Sequence, residues 1–486
     1  MILYKQLINL FVVILFFAAF SCKKMVDVDS PSTQITSDNV YDNDASAIAV
    51  LNGIYSTISR VTTYESSVTI PSLSMWAGLS ADELALWNNA SFASQKAYYK
   101  NTLSANVTGS EFWINTYGLI YRCNVAIEGL AKSSALTPAI KQQLLSEAKF
   151  LRAFFYFYLV NLYGDVPLTL TIDYTVNATL ARTSKDKVYE QIVADLIEAK
   201  NQLSDGYLKA NLGSLYSSGS AERIRPTKAA ASALLARVYL YTGDWAKAEG
   251  EATAVINNTA VYDTVPLNKV FLKNSKEAIW QLQPVNSGVI SNTADGVLFN
   301  PSISPTGINS SHPVYLSTSL LNVFEPNDQR KVIGNWVNVF TNASGTYYYS
   351  YKYKVGTANA PVTEYIMMLR LGEQYLIRAE ARARKGDING ATSDLNVIRK
   401  RAGLSNTTAN DQPSLLTAIL QERRVELFTE LGHRWLDLKR AGKVDAVMTS
   451  EALLKGTIWH SYQQLYPVPP VDILKDPNLD QNPEYN

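Results

Sequence analysis

The stretch ARVYLYTGDWAKA, residues 236–248, decides the fold class of this chain. It reads Ala, six residues, Gly-Asp, three residues and Ala, and the pattern returns as AEARARKGDINGA at residues 379–391. A glycine can adopt the positive φ that ends one helix, and the aspartate after it can cap the next. Gly243-Asp244 and Gly386-Asp387 therefore predict two helical hairpins, and the closing alanines permit close helix crossing.

Two such hairpins indicate a tetratricopeptide-type repeat. The copies lie 143 residues apart, so they do not form a contiguous array in the sequence. Apolar residues recur at three- and four-residue steps over residues 137–163 and also fill the other faces, which predicts an enclosed helix. Less regular helices are predicted within residues 183–203 and 413–438. We predict a mainly α fold, a tetratricopeptide-like scaffold of helical hairpins arranged as an α-α superhelix.

One long region does not fit the helical pattern. Residues 257–365 lack helical periodicity and are rich in Asn, Ser, Gly, Pro and Tyr, and residues 347–353 alternate in the manner of a strand or loop. About a hundred irregular residues within a compact helical protein usually carry function or mark an insertion. We predict one domain over residues 41–486, with this loop-rich region laid over the scaffold.

Residues 1–21 predict a signal peptide. A single basic residue, Lys5, precedes an apolar run over residues 7–20, which is shorter than the roughly 20 residues that span a bilayer. The run closes on Ser21-Cys22, as in bacterial lipoprotein signals that are cleaved before a cysteine whose amine and thiol are then acylated. Residues 22–40 would then be the lipidated cysteine and a polar tether. An ordinary signal peptide with an incidental Cys22 is the alternative.

The composition limits the class of function. The chain has 486 residues, of which 47% are hydrophobic, so wholesale disorder is excluded. Its 44 basic residues balance 43 acidic ones, which argues against nucleic acid as a partner because phosphate binding needs a basic excess. Loss of residues 1–21 removes Lys5 and makes the two numbers equal, which suits a neutral ligand. It also leaves Cys123 as the only cysteine beside Cys22, so a lipidated chain has no intrachain disulfide.

Ten short motifs follow one another along nearly the whole mature chain. They are YRCN (121–124), EAKFLRAFFYF (147–157), YGDVP (163–167), PTKAA (226–230), EQYLIRAEA (373–381), DLNVIRKRAG (394–403), ERRVEL (422–427), GHRWLDLKR (432–440), PVPP (467–470) and QNPEY (481–485). In this order they resemble the SusD/RagB-type nutrient-binding lipoproteins of the outer membrane in Bacteroidetes. Glu484 departs from the family's usual Gln-Asn-Pro-Gly-Tyr ending.

The resemblance implies a role as well as a fold. Members of this family are outer-membrane lipoproteins that face the cell exterior and cover a TonB-dependent transporter of the SusC type. They capture oligosaccharides, or oligopeptides in some branches, for import. The resemblance therefore implies a lipid-anchored binding protein whose partners are a SusC-like transporter and an oligosaccharide or peptide.

An enzyme is the competing class of function. The three histidines, His312, His433 and His460, lack metal-ligand spacing, and there is no Gly-x-Ser-x-Gly elbow or phosphate-binding Gly-Lys-Ser/Thr loop. A glycosidase needs only two carboxylates, so counting residues does not exclude a hydrolase. Helical repeats more often build binding surfaces than reaction pockets, and we expect a binding protein without catalytic residues, metal or cofactor.

Sugar binding needs flat apolar rings that stack on sugar C–H surfaces, with amides or carboxylates that bond the hydroxyls. Loop aromatics and neighbouring amides that meet this description are Trp76, Trp87, Asn88, Asn89, Tyr315, Trp336 and Tyr347. Among them we favour Trp87 and Trp336. Packing between a loop and the scaffold is the alternative for every ring, because that is what most Trp and Tyr residues do.

Charged residues inside apolar helices predict structural ion pairs, because an unpaired buried charge is very costly. The residues in this class are Arg152, Arg237, Glu380, Arg399, Arg401, Glu422, Arg423, Glu426, Arg434 and Asp437. Lys439 and Arg440 are expected to form a solvated helix end.

Overall fold

The computed structural model describes residues 1, 4, 39–60, 69–104, 110–217, 219–285 and 291–485. Most of the predicted signal peptide, Cys22 and the tether up to residue 38 lie outside the described residues. The helices are α1 (Asp44–Ser59), α2 (Leu73–Ser80), α3 (Ala93–Lys100), α4 (Ser110–Lys132), α5 (Pro138–Tyr163), α6 (Tyr174–Asn177), α7 (Lys185–Gln202), α8 (Lys228–Thr242), α9 (Trp245–Ile256), α10 (Ala294–Leu298), α11 (Thr318–Leu321), α12 (Leu371–Arg384), α13 (Ile388–Arg401), α14 (Gln412–Glu426), α15 (His433–Arg440), α16 (Val444–Leu454) and α17 (Pro470–Ile473).

Both predicted hairpins are present. Gly243 and Gly386 have φ values of 78° and 85°, and each follows or closely follows the end of the first helix of its pair, α8 or α12. Asp244 accepts a hydrogen bond from the Lys247 backbone N–H at the start of α9, and Asp387 caps α13 through the Gly390 N–H. The glycine and aspartate of each motif therefore act as predicted, one ending a helix and the other starting the next.

The long helices pack in series. The neighbouring pairs are α4 with α5, α5 with α7, α7 with α8, α8 with α9, α9 with α12, and α12 with α13 and α14. This succession confirms the predicted tetratricopeptide-like helical fold. The contact between α9 and α12 also shows that the two hairpins are adjacent in space, although 143 residues separate their motifs in the sequence.

The loop-rich region leaves the helical layer after α9 and returns at α12. Strand β2 (Ala278–Leu282) pairs antiparallel with β6 (Ile366–Arg370), directly before α12, and every residue of both strands is buried. Two further two-stranded sheets occur in the described residues: β1 (Leu84–Leu86) pairs with β3 (Val314–Leu316), and β4 (Val337–Asn342) with β5 (Gly345–Ser350). Of residues 347–353, which were predicted to form a strand or a loop, those up to Ser350 lie in β5 and the last three are irregular.

Helix α5 is enclosed, as its sequence predicted. Its residues from Phe150 to Tyr163 are all buried, and the rings of Phe150 and Phe154 lie 5.0 and 5.2 Å from the ring of Trp280 in β2. The helix ends at Gly164, whose φ is 78°. The strand pair that closes the loop-rich region therefore packs on the enclosed part of this helix.

All ten helix charges predicted to be structural are paired. Examples are Arg152 with Asp195 at 2.8 Å and Arg237 with Glu373 at 2.7 Å. Nine residues join into one buried cluster, which we call the ion network: Glu277, Asp328, Arg330, Lys352, Arg370, Arg401, Glu422, Glu426 and Glu430. None of their side chains is more than 7% exposed. The network ties the loop-rich region to α13 and α14.

The prediction that Lys439 and Arg440 form a solvated end of α15 is wrong. The Arg440 side chain is 7% exposed and pairs with Glu380 and Asp437, each at 2.7 Å. The Lys439 ammonium donates to the backbone carbonyl of Asn161 in α5, and burial lowers its pKa well below its usual value. Both cations lie between helices, because α15 packs inside the fold with its last turn against the scaffold. Within the described part of the chain, no helix has the length and apolar character needed to cross a membrane.

Candidate functional site

The short β1–β3 ladder positions Tyr315 and Trp87. Its register pairs Ala85 with Tyr315, and the Trp87 N–H donates to the Pro313 carbonyl at 2.7 Å. The flanking strand residues, two leucines in β1 and Val314 and Leu316 in β3, are buried. Because side chains alternate between the two faces of a strand, Tyr315 and position 87 project away from this core face.

Two amides follow Trp87 in the chain. Asn88 and Asn89 are both exposed and lie in a turn that the Ala90 N–H closes by donating to the Trp87 carbonyl at 3.0 Å. Trp87 itself is half-buried and packs partly on the core. The turn thus places a half-buried indole and two exposed amide side chains within three consecutive residues.

Tyr315 meets a second tyrosine from the loop-rich region. The ring centroids of Tyr315 and Tyr347 lie 5.0 Å apart with their planes at 74°, an edge-to-face arrangement. Both rings are half-buried, and Tyr347 is held in β5 opposite Phe340 of β4. Burial and the neighbouring Tyr347 raise the pKa of Tyr315, so the phenol stays neutral and keeps its hydrogen-bonding hydroxyl.

A fourth ring, Tyr99, was missed in the sequence. It lies in α3, which packs on β1, and burial together with nearby Tyr315 and Glu451 raises its pKa to about 12. The Lys455 ammonium lies 5.1 Å from the ring centroid. The sequence signal was the adjacent pair Tyr98-Tyr99. Neighbouring residues of a helix lie on different faces, so when Tyr98 is buried in the core, Tyr99 lies on another face of the helix. We call Trp87, Tyr99, Tyr315 and Tyr347 the aromatic platform.

The structure corrects the expectation for Trp76 and Trp336. Trp76 is 2% exposed within α2, with its ring 4.8 Å from that of Tyr98. Trp336 is fully buried and donates from Nε1 to the Leu267 carbonyl at 2.9 Å. Neither indole presents a face on which a ligand can stack, and both are packing residues. Of the predicted rings, Trp87, Tyr315 and Tyr347 remain as candidates for contact.

A buried carboxylate fixes the base of the platform. Arg434 donates to both oxygens of Asp82 at 2.7 and 2.8 Å, and Arg424 pairs with the same carboxylate at 2.7 Å. Burial alone would raise the pKa of Asp82, but the hydrogen bonds and charge of Arg434 outweigh it and the pKa is lowered. Ser317, next to β3, donates to the Asp82 carbonyl at 2.6 Å. These bonds join β1 and β3 to α14 and α15.

The neighbouring Glu83 behaves in the opposite way. Burial, followed by the negative charge of Asp82, raises its pKa to about 8. The Ser317 N–H donates to the Glu83 carbonyl at 2.9 Å, so this residue also lies at the junction of β1 and β3. Two adjacent carboxyls beneath the platform therefore differ in protonation because only Asp82 has arginine partners in contact.

Two family descriptions match this chain. Residues 26–240 match the family described as "Starch-binding associating with outer membrane", and residues 334–485 match the "SusD family". The first range contains Trp87 and Tyr99, and the second contains Trp336 and Tyr347. Together they cover both ends of the helical scaffold.

One curated relative matches over most of the chain and another over about a quarter of it. A SusD-like protein from Formosa agariphila is 25% identical over 94% of this chain and 96% of its own length. The starch-binding protein SusD from Bacteroides thetaiotaomicron is 37% identical, over 27% of this chain and 23% of its own length.

Solved structures share the fold. A laminarin-binding SusD-like protein superposes with a TM-score of 0.73 at 21% identity, over 91% of this chain and 100% of that one. Surface glycan-binding protein A from Bacteroides uniformis gives a TM-score of 0.74 at 20% identity, over 90% of this chain and 99% of that one. With the ordered motifs, the helical scaffold and these matches in agreement, the chain belongs to the SusD/RagB family.

Proposed function

We propose that this protein is a cell-surface lipoprotein that captures oligosaccharides at the aromatic platform and delivers them to a SusC-like TonB-dependent transporter of the outer membrane. The observation that carries the proposal is the platform itself. Four half-buried rings come from the turn after β1, from α3, from β3 and from β5, with Tyr315 and Tyr347 in contact, and two exposed amides follow Trp87. Rings of this kind stack on sugar C–H surfaces, and the amides can bond hydroxyls.

Family membership supports the same reading. The names of relatives and structural neighbours specify starch, laminarin and glycan as the ligands of those proteins. The near-neutral charge of the chain favours an uncharged ligand, since an ionic ligand would call for an opposite excess. A non-catalytic role fits a site built from rings and amides.

Ligand binding is tested by native affinity electrophoresis of the full chain, purified in detergent, in gels that contain amylopectin, laminarin, xylan or mannan. We expect retardation by at least one polysaccharide, without the release of reducing sugar. Binding to a tryptic peptide pool and to none of the polysaccharides would favour the oligopeptide branch of the family. Hydrolysis of a polysaccharide would identify an enzyme and overturn the proposal.

The platform is tested in the same gels with Trp87→Ala and the matched variant Trp87→Phe. Loss of one stacking ring should weaken binding about tenfold, equivalent to about 1.4 kcal/mol, and the phenyl ring should restore most of the affinity. Equal retardation of Trp87→Ala and the wild type would place the ligand elsewhere.

The lipid anchor is tested by fractionation of the native host. Cys22→Ala should move the protein from the membrane to the soluble fraction, because acyl chains on this cysteine would provide the anchorage. The matched variant Cys123→Ser changes a buried thiol of α4 and should stay with the membrane. Retention of Cys22→Ala in the membrane fraction would rule out lipidation at this position.

Delivery requires a stable partner, which co-purification can identify. An affinity tag at the C-terminus, applied to native outer membranes in mild detergent, should recover a TonB-dependent transporter in about equal amount. Recovery of the tagged chain alone, from membranes in which the transporter is present, would contradict the proposed partnership.

A further inference from the structure

A second aromatic site lies on the other side of a buried layer of rings. It is a groove between α4, the loop into α6 together with α6 itself, and the C-terminal segment from α17 onwards, with a cavity volume of about 580 Å³. The residues that matter for its chemistry are Trp113, Tyr117, Tyr121, Tyr174, Asn177 and Asp472. It shares no residue with the aromatic platform.

The floor of the groove is fixed by hydrogen bonds. Trp113 and Tyr117 lie one turn apart on α4, with ring centroids separated by 4.8 Å. Trp113 donates from Nε1 to Asp472 at 2.9 Å, and the Tyr117 hydroxyl donates to the Pro167 carbonyl at 2.7 Å. Each bond joins α4 to one of the other two walls, so the three walls are held together before any ligand arrives.

Two tyrosines at the rim expose their rings. Tyr121, one further turn along α4, is 51% exposed, and Tyr174 at the start of α6 is 80% exposed. Rings this open present their faces for stacking against a ligand. Their hydroxyls can also donate and accept hydrogen bonds, so the rim offers both stacking faces and polar contacts.

One polar atom in the wall of the groove lacks a hydrogen-bond partner among the described residues. The Asn177 side chain donates from Nδ2 to the Thr171 carbonyl at 2.8 Å, whereas its Oδ1 is buried and has no hydrogen-bond partner among the described residues. A buried acceptor without a donor costs about 1–3 kcal/mol. Because less than 1 Å² of this oxygen is accessible, a ligand hydroxyl in the groove would pair with it after the side chain turns towards the groove.

We propose that this groove is a second saccharide-binding site. The inference rests on the proposed function, because it assigns the same class of ligand to a separate place. A sugar ring covers the exposed rim tyrosines, Tyr121 and Tyr174, with its C–H face. Its hydroxyls donate to Asp472 and, once the Asn177 side chain turns towards the groove, to Asn177 Oδ1. The groove repeats the combination of rings and amide that forms the aromatic platform.

A layer of aromatic side chains separates the two sites. The Trp113 ring contacts Tyr163 at 5.0 Å, Tyr163 contacts Tyr466 at 6.0 Å, and Tyr466 contacts Tyr98, which precedes Tyr99 of the platform, at 5.3 Å. All of these linking rings are buried. A single short oligosaccharide therefore occupies one site at a time, and a polysaccharide that reaches both gains avidity.

The test compares groove variants in two backgrounds, wild type and Trp87→Ala, in gels that contain amylopectin, laminarin, xylan or mannan. The groove variant is Tyr121→Ala with Tyr174→Ala, and its matched control carries Phe at both positions. In the Trp87→Ala background we expect the alanine pair to weaken binding at least about fivefold, and the phenylalanine pair to retain it. Ile197→Ala, an exposed apolar residue of α7 that lines neither site, should have no effect.

The outcomes separate this inference from the proposed function. If the alanine pair leaves binding unchanged in the Trp87→Ala background, the groove is not a saccharide site, even where Trp87→Ala alone confirms the platform. If Trp87→Ala has no effect and the alanine pair abolishes binding, the groove site stands and the platform fails. Retained saccharide binding with loss of transporter co-purification would make the groove a protein-docking surface. Failure of the wild type to bind any of the four polysaccharides contradicts both proposals.

Discussion

The aromatic platform and the ion network both draw aromatic rings from the loop-rich region, but they use them in opposite ways. Trp336 lies over the network, with the Lys352 ammonium 4.7 Å from its ring and the guanidinium groups of Arg401 and Arg370 at 5.6 and 5.8 Å. Tyr315 has only Tyr347 as a ring partner among the described residues and remains half-exposed.

The difference lies in what each ring covers. The Trp336 ring makes cation–π contacts with three cations that are buried away from solvent. The indole therefore offsets part of the cost of burying these charges. The Tyr315 ring contacts another neutral ring, Tyr347, and it belongs to the surface that we propose as the saccharide site. An aromatic residue in an irregular segment is therefore a ligand candidate only where nothing charged and buried already occupies its face.

The largest expected effect is on the ion network. Arg370 pairs with Glu277, Glu426 and Glu430 at 2.9, 2.6 and 2.7 Å. Arg370→Ala would leave these carboxylates buried with fewer partners and should lower the free energy of unfolding by about 5 kcal/mol. Denaturant unfolding followed by circular dichroism measures this loss.

An exposed arginine provides the control for that measurement. Arg122 on α4 donates to the Thr57 hydroxyl at 2.8 Å at the surface, and Arg122→Ala should cost less than about 1 kcal/mol. Equal effects of the two substitutions would show that the network contributes no more than surface pairs do.

Trp336→Ala should give the next largest effect. The substitution removes a fully buried indole, opens a cavity and leaves the Leu267 carbonyl without its donor, at a combined cost of about 4 kcal/mol. The folded fraction of Trp336→Ala should bind polysaccharide with the same affinity as the wild type. If Trp336→Ala were as stable as the wild type but bound polysaccharide more weakly, Trp336 would be a ligand contact, and the contrast with Tyr315 would no longer hold.

The pH dependence of stability tests the carboxyl beneath the platform. The pKa of Glu83 is raised from 4.5 to about 8, so the folded state binds this proton more tightly than the unfolded state. Its contribution is fully present below about pH 4.5 and is lost as the pH rises towards 8. Relative to Glu83→Gln, which cannot ionise, wild-type stability should fall by more than about 1.4 kcal/mol between pH 5 and pH 8. Parallel stability curves for the two proteins would contradict the raised pKa.

Tyr99→Ala should have the smallest effect and sharpens the boundary of the platform. Removal of a half-buried ring at the edge should weaken polysaccharide binding about threefold, and Tyr99→Phe should bind as the wild type does. Isothermal titration calorimetry with the polysaccharide that retards the wild type measures both. No loss in Tyr99→Ala would restrict the platform to Trp87, Tyr315 and Tyr347.

The sequence predicted the scaffold well because its signals are local. Gly243-Asp244 and Gly386-Asp387 end and start helices through their own backbone preferences, and the periodicity over residues 137–163 follows from helix geometry. The contact between α9 and α12 was not predictable from the same signals, since the two helices meet only after a long excursion of the chain. The β2–β6 pair that closes this excursion depends on residues almost ninety positions apart.

The candidate site was predicted less completely for a related reason. Trp87, Tyr315 and Tyr347 were found as aromatics outside helical patterns, but Trp336 meets the same description and is buried. Whether a loop ring faces solvent depends on what packs against it, and for Trp336 that includes Lys352 and Arg401 from distant positions. Tyr99 was missed because it lies within a short helix, where an aromatic residue resembles core. Likewise, Arg440 is buried because α15 packs inside the fold.

The affinity of the full chain for its polysaccharide, measured calorimetrically for the wild type and Trp87→Ala together with their melting temperatures, tests the central claim most directly. The claim is that the aromatic platform binds saccharide and contributes little to the stability of the fold. It predicts about tenfold weaker binding for Trp87→Ala, with a melting temperature within about 2 °C of the wild type. Unchanged affinity, or a loss of affinity that only accompanies a large fall in melting temperature, would contradict it.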